Sequence, residues 1–137
     1  MSVPDDDILS IVFRCETLGQ SYAQVAMTMG VTRSAIGGTV KRVRDAKAQA
    51  EAARLTDLQI KLMLDRLFLG KTPAEVIAKD FARSGVALNR MAVLYLVWSV
   101  MNDLHDAGDD LTTRPDTAEA VDWPAWWRRA QLGGVAA

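Results

Sequence analysis

The stretch VAMTMGVTRSAIGGTVKRVRD, residues 25–45, carries the pattern on which the interpretation of the whole chain depends. It predicts two short helices joined by a tight turn at Gly30, because glycine enters the left-handed conformation of such a turn without steric cost. Ala26 is small enough to let the two helices touch, and Val31 is expected to plug the turn. We therefore predict a helix-turn-helix.

The second helix of this pair has an apolar side and a polar side. Thr32 is suited to cap its N-terminus, and Ile36, Val40 and Val43 recur at spacings of four and three, which places them on one inward face. The opposite face would be free to enter the major groove of DNA. The residues expected to contact DNA are Thr32, Arg33, Ser34, Gly37, Gly38, Lys41, Arg42 and Arg44.

The charge of this segment differs from that of the whole chain. The 137 residues carry a formal net charge of −1. Between Arg33 and Arg54, however, there are six basic residues and two acidic residues. Such a local excess suits a nucleic-acid contact. Within it we expect Arg33, Ser34 and Lys41 to face base edges, and Arg42 and Arg44 mainly to meet phosphates.

Gly37 and Gly38 stand in the middle of the predicted second helix, where each glycine costs about 0.5–1 kcal/mol relative to alanine. Two explanations fit the sequence. A position without a side chain lets the backbone approach a phosphate or base edge closely. Alternatively, the glycines permit tight packing between helices within the chain.

Further helices are predicted on both sides of this segment by apolar periodicity and by start and stop residues. Ser21 and Thr56 are expected to cap helices, as is Thr72, which Pro73 follows. The third helix is expected to extend through "DAKAQAEAAR". The other predicted helices cover residues 6–18, 21–29, 56–69, 72–83 and 88–104.

An internal repeat links the two halves of this helical region. "LGQSYAQVA" at Leu18 resembles "LGKTPAEVI" at Leu69, an offset of 51, and Ile36 would then correspond to Met91 at an offset of 55. We predict an all-α chain with two related three-helix units. The expected division is a helix-turn-helix unit over 1–50, a second helical unit over 51–105, and an acidic linker with a Trp-rich tail over 106–137.

The helix predicted over residues 88–104 is apolar almost all round, so it must be buried. A small chain offers little core to hide it, which favours a homodimer built on this helix. A dimer would also suit DNA operators, which are often two-fold symmetric. The residues expected at the oligomer interface are Met91, Leu94, Tyr95, Trp98 and Met101.

The C-terminal tail holds Trp123, Trp126 and Trp127, three of the four tryptophans in the chain. Before it lies a stretch from Asp103 to Asp122 with seven acidic residues and one basic residue, which is typical of a linker. The three indoles are costly to leave in water. They either dock on their own protein or dimer, or bind a partner such as a polymerase subunit.

The segment VTRSAIGGTVKRV resembles the one by which GcrA-type cell-cycle regulators are identified, approximately V-T-R-N-A-V-x-G-K-V-x-R-L. The resemblance covers about residues 6–44. It implies a DNA-binding module and, as in that family, cooperation with the housekeeping sigma factor of RNA polymerase. The matching positions are Val31, Thr32, Arg33, Ala35, Gly38, Val40 and Arg42.

Together these features favour a sequence-specific, DNA-binding transcriptional regulator of bacterial, phage or gene-transfer-agent type. The alternatives are a small-terminase-like DNA-packaging adaptor and a protein that interacts with RNA polymerase or a sigma factor. An enzyme, a cofactor and a metal site are not expected, because the sequence has one cysteine, one histidine and no phosphate-binding glycine loop. The acidic N-terminus and the short apolar runs indicate a cytoplasmic protein without a membrane segment.

Overall fold

The computed structural model describes residues 3–108 and 122–136, with side chains up to residue 131, and every regular element in these ranges is helical. The all-α prediction is therefore confirmed. One π-helical turn extends α1 over Phe13–Thr17 and another extends α5 over Asp65–Leu69. The helices are α1 Asp5–Val12, α2 Tyr22–Met29, α3 Arg33–Asp45, α4 Lys47–Ala52, α5 Asp57–Leu64, α6 Ala74–Arg83, α7 Arg90–Asp106 and α8 Trp123–Ala136.

Helices α2 and α3 and the turn between them, the segment predicted to be a helix-turn-helix, have the local start and stop signals that the sequence predicts. The Oγ of Ser21 accepts a hydrogen bond of 3.1 Å from the backbone N–H of Gln24, which caps α2. The Oγ1 of Thr32 does the same for Ala35 at the start of α3. Gly30 ends α2 with a φ of 69°, in the left-handed region that glycine tolerates best.

The start of α6 differs from the sequence prediction. Pro73 takes the N-cap position, and Thr72 makes no capping hydrogen bond. Instead, the Oδ2 of Asp5 accepts a 2.8 Å hydrogen bond from the backbone N–H of Ala74. The other carboxylate oxygen accepts a 2.9 Å hydrogen bond from the Nε of Arg90. One side chain at the start of α1 therefore holds the start of both α6 and α7.

The internal repeat exists, but in a different register from the predicted one. Asp5–Val12 and Asp57–Leu64 lie 52 residues apart, as do the two π turns, whereas α3 and α7 begin 57 residues apart. Gly19, with a φ of 72°, thus corresponds to Lys71, with a φ of 51°, and not to Gly70. The predicted offset of 51 paired the two glycines, but the left-handed position of the second unit is occupied by a lysine.

The two units share the larger of two buried clusters in the described chain. Side chains from α1, α3, α4, α5, α6, α7 and α8 belong to one continuous buried cluster. A smaller cluster lies beneath the helix-turn-helix and is made by Ile11, Val25, Ala26, Ile36 and Val40. The boundary near residue 50 is thus a change of unit within one packed body.

Helix α7 is buried by its own chain, which corrects the prediction of an oligomer interface on it. It packs against α1, α3, α4, α5 and α6. Leu94 and Met101 are fully buried, while Met91, Tyr95 and Trp98 are partly buried against the same core. The lack of a polar face on α7 is thus explained within one chain, and the homodimer stays a prediction that rests on the two-fold symmetry of many operators.

The tryptophans of the tail also lie in this core. Trp123, Trp126 and Trp127 are 1%, 2% and 7% exposed. The indole N–H of Trp123 donates to the Oγ of Ser10 over 2.9 Å, and that of Trp127 donates to the Oδ1 of Asp65 over 2.8 Å. Of the two alternatives predicted for these tryptophans, docking on their own protein is the one that the structure has, and their buried rings are not available as partner-binding residues. Most of the predicted acidic linker, residues 109–121, lies outside the described residues.

The buried tail makes a prediction about stability. Replacing Trp123 by alanine should lower the free energy of unfolding by about 3–5 kcal/mol, because a large fully buried side chain is lost. Urea denaturation followed by far-UV circular dichroism measures this change. Met27→Ala is the control, since Met27 is 85% exposed and should change stability by no more than about 0.5 kcal/mol. Equal effects of both substitutions would contradict the docking of α8.

A second prediction concerns Asp5. Asp5→Ala should destabilise the protein by about 1–3 kcal/mol, because Ala74 loses its capping acceptor and Arg90 its carboxylate. Asp7→Ala is the matched control: both residues lie in the first turn of α1 and interact alike with the helix dipole. The same denaturation experiment should give a smaller decrease in the free energy of unfolding for Asp7→Ala. If the two losses are equal, the bonds from Asp5 contribute nothing.

Candidate nucleic-acid interface

The predicted helix-turn-helix, made by α2, α3 and the turn between them, is built around a small set of buried side chains. Val25 and Ala26 of α2 pack against Ile36 and Val40 of α3, and all four are buried. The turn between the helices is closed by a 3.1 Å hydrogen bond from the backbone N–H of Val31 to the carbonyl of Ala26. The side chain of Val31 does not plug the turn as predicted, since it is 45% exposed.

The outer side of α3 is exposed along most of its length, and its contacts with the rest of the described chain are made at its edge by Gly37 and Arg44. The side chains of Thr32, Arg33, Ser34, Lys41, Arg42 and Arg44 are exposed, and Gly37 and Gly38 are partly exposed. Ser34, Gly38 and Lys41 follow each other at spacings of four and three, so they lie on one line along the helix. The structure thus brings the sequence-predicted site residues onto one surface. Gly38 stands at the middle of it.

The two glycines have different surroundings. A Cβ atom at Gly37 would lie 3.5 Å from the ring of Tyr22, and one at Gly38 would lie 3.6 Å from the Nη1 of Arg42. Both distances are ordinary van der Waals contacts, so alanine fits at either position. Tight packing within the chain therefore does not require either glycine. At Gly38 the nearest atom is the end of a flexible side chain, which leaves close approach by a ligand as the better explanation.

Two of the cations on this surface are paired with carboxylates. The Nζ of Lys41 lies 2.7 Å from the Oδ2 of Asp45, one turn further along α3. Arg44 forms an ion pair with Glu16 of the first π turn. The hydrogen bond to Glu16 raises the pKa of the Arg44 guanidinium above its ordinary value. Neither carboxylate was among the predicted site residues, and the pairing of Arg44 with Glu16 spans 28 positions, so no local pattern indicates it.

The other two arginines are less engaged. Arg33 makes no ion pair within the described residues, and it lies in the first turn of α3. The Nη2 of Arg42 donates a 3.3 Å hydrogen bond to the Oγ1 of Thr39. Both guanidinium groups are exposed and carry donors suited to phosphate or guanine. They are the cations that can bind an anion with the least rearrangement.

The second unit does not offer the same surface. At the offset of 57 residues, the positions equivalent to Ser34, Gly38 and Lys41 are Met91, Tyr95 and Trp98. These three side chains are apolar or aromatic and partly buried against the core. Of the two related helices, α3 alone presents a polar outer face of this kind.

The described residues give no sign of a metal or thiol site. No group of three or more His, Cys, Asp or Glu side chains in this part of the chain is placed to hold a metal ion. Burial, with a smaller effect of Glu16, raises the pKa of the Cys15 thiol to about 11. The thiol therefore stays protonated near neutral pH and packs beside the helix-turn-helix core. None of the helices in the described ranges could span a bilayer.

The glycines allow a direct test of this surface. Gly38→Ala should raise the free energy of unfolding by about 0.5–1 kcal/mol, because alanine favours the helix. It should also weaken binding to DNA, since a methyl group would then stand on the outer face. Gly37→Ala is the matched control: it should gain similar stability but keep DNA affinity, because its Cβ points towards Tyr22. Thermal melts and fluorescence anisotropy measure the two effects. Unchanged DNA affinity in both variants would show that Gly38 is not part of the interface.

Comparison of the chain with protein-family models, curated proteins and solved structures found no match. The resemblance of residues 6–44 to GcrA-type regulators therefore stays a prediction, and the role of this surface has to be argued from its geometry.

Proposed function

We propose that the protein binds double-stranded DNA through the outer face of α3 and acts as a sequence-specific transcriptional regulator. One observation carries this proposal. The inner face of α3 is locked into the core by Ile36, Val40 and Val43, while its outer face projects freely with cations around a position that has no side chain. This is the division that a helix needs if it is to enter a groove and stay attached to its domain.

The dimensions suit the major groove. With 13 residues, α3 is about 20 Å long, and the groove of B-DNA, about 12 Å wide, admits one helix. Arg33 and Ser34, in the first turn, and Lys41 face base edges in this arrangement. Gly38, between them, lets the backbone approach closely. Arg42 and Arg44, on the flanks of the helix, contact phosphates on the two sides of the groove.

Binding would exchange ion pairs within the protein for ion pairs with DNA. Asp45 and Glu16 neutralise Lys41 and Arg44 in the free protein. Exposed pairs of this kind stabilise a protein little, so a phosphate can replace Glu16 at Arg44, and a base edge can replace Asp45 at Lys41, at little cost. The same pairs reduce attraction to DNA of arbitrary sequence. Specific base contacts would therefore account for much of the affinity, and this supports a sequence-specific role over a packaging role.

The wider assembly is also part of the proposal. The resemblance of residues 6–44 implies contact with RNA polymerase or a sigma factor, and such contact would have to use a surface other than the buried tail tryptophans. A two-fold symmetric operator would need a second copy of the chain. That copy would have to bind elsewhere than on the buried side of α7.

Selection of binding sites from random duplex DNA with the full chain tests the proposal and supplies the operator. On that operator, Lys41→Ala should lower affinity by about 1–3 kcal/mol if the lysine contacts a base, with sequence preference relaxed at one position. Arg44→Ala should weaken binding to DNA of every sequence by the same factor and reduce the slope of log affinity against log salt by about 1. Fluorescence anisotropy at several salt concentrations measures both changes.

Lys79→Ala is the control for these substitutions. Lys79 lies on α6 and pairs with Glu75 at a spacing of four, just as Lys41 pairs with Asp45. Its side chain is 67% exposed, close to the 73% of Lys41. We expect no loss of DNA affinity in this variant. A failure to select any sequence, or equal losses for Lys41→Ala and Lys79→Ala, would refute DNA binding through α3.

A further inference from the structure

A cleft separates the helix-turn-helix from the second unit. It is bounded by α1, α3, α4 and α7, and it has a volume of about 260 Å³. Its apolar walls come from Val12, Val40, Val43, Tyr95 and Trp98. An engineered apolar cavity of about 150 Å³ holds one benzene ring, so this cleft is large enough for a two-ring molecule.

The aromatic wall of the cleft is held in place by hydrogen bonds. The indole N–H of Trp98 donates to the Oγ1 of Thr17 over 2.9 Å, and the Oγ1 of Thr17 donates to the Oδ1 of Asn102 over 2.9 Å. The rings of Tyr95 and Trp98 lie 5.7 Å apart at 54° to each other. A half-buried aromatic pair fixed in this way presents a preformed surface for another ring.

The mouth of the cleft is positively charged. Arg44 and Lys47 stand at its rim, with Glu16 as the carboxylate on the same side. Glu16 is matched by Arg44, and the Nζ of Lys47 lies 3.7 Å from the exposed Glu51 one turn away. The charged residues that line the cleft, Glu16, Arg44 and Lys47, sum to one positive charge, and Glu51 lies outside the lining with its side chain 59% exposed. A ligand with an aromatic body and one negative group complements both the walls and the rim.

We propose that this cleft binds a small aromatic anion, with the rings between Val43 and the Tyr95–Trp98 pair and the anionic group at Lys47 and Arg44. The site does not depend on DNA binding. It does adjoin it, because Val40, Val43 and Arg44 belong to α3, so an occupied cleft contacts the helix that carries the proposed DNA face. An anion that draws Arg44 into the cleft leaves one cation fewer for phosphate.

The probe is 1-naphthoate, and its neutral amide 1-naphthamide is the matched control ligand. Both are titrated into the ¹⁵N-labelled full chain without DNA. The chain has four tryptophans, and Trp98→Phe identifies the indole N–H signal of Trp98 among them. Saturable shifts of this signal and of the backbone amides near Val43 and Lys47 are expected with naphthoate, and weaker binding with naphthamide.

Substitutions at the rim then test the charge. Lys47→Gln should weaken naphthoate binding about threefold to fivefold, as expected for an exposed ion pair, while Lys79→Gln should leave it unchanged. Glu16→Gln should tighten binding, because Arg44 is released from its pair, and a gain cannot come from a damaged fold. Shifts that miss Trp98, equal affinity for naphthoate and naphthamide, or no response to Lys47→Gln and Glu16→Gln would overturn the proposal. Since no DNA is present, these outcomes are separate from those that test DNA binding.

Discussion

The structure depends on the burial of α7. This helix has apolar side chains on nearly every side, and exposing it to water would cost far more than the net stability of a small domain. Five other helices pack against it, including α1 and α3 of the first unit. Helix α3, the outer face of which carries the proposed DNA contacts, is therefore held by a helix that belongs to the second unit. The outer face of α3 stays exposed because the inner face of the same helix already packs against the core.

The features that were predictable from the sequence are local ones. The caps at Ser21 and Thr32 and the left-handed turn at Gly30 depend on residues within a few positions of each other, and the structure has all three. The spacing of Ile36, Val40 and Val43 correctly predicted which face of α3 points inward. Hydrophobic patterning also predicted that α7 and the tail tryptophans had to be covered, but it contains no information about which surface covers them.

The features that were missed join distant parts of the chain. Asp5 caps α6 from 69 positions away, and Trp123 reaches Ser10 across 113 positions. Glu16 lies in a π turn, where one extra residue per turn shifts the side chains relative to an α-helix, and a search for α-helical period does not find it. The first part of the repeat is displaced by one residue from the predicted register, because Lys71 adopts a conformation usually associated with glycine. Each of these outcomes was decided by tertiary packing, which overrides local preference.

The position of α8 has a consequence for synthesis of the protein. The side of α1 that bears Ser10 and Phe13 is covered by Trp123, which the ribosome adds 113 residues after Ser10. At about 5–20 residues per second, this leaves α1 without its cover for roughly 6–23 s. During that time the nascent chain presents apolar surface of the kind that chaperones bind. A chain that ended before Trp123 would contain all the residues of α2 and α3 but would leave Ser10 and Phe13 without the indole that covers them, and local unfolding of α1 would then cost less free energy.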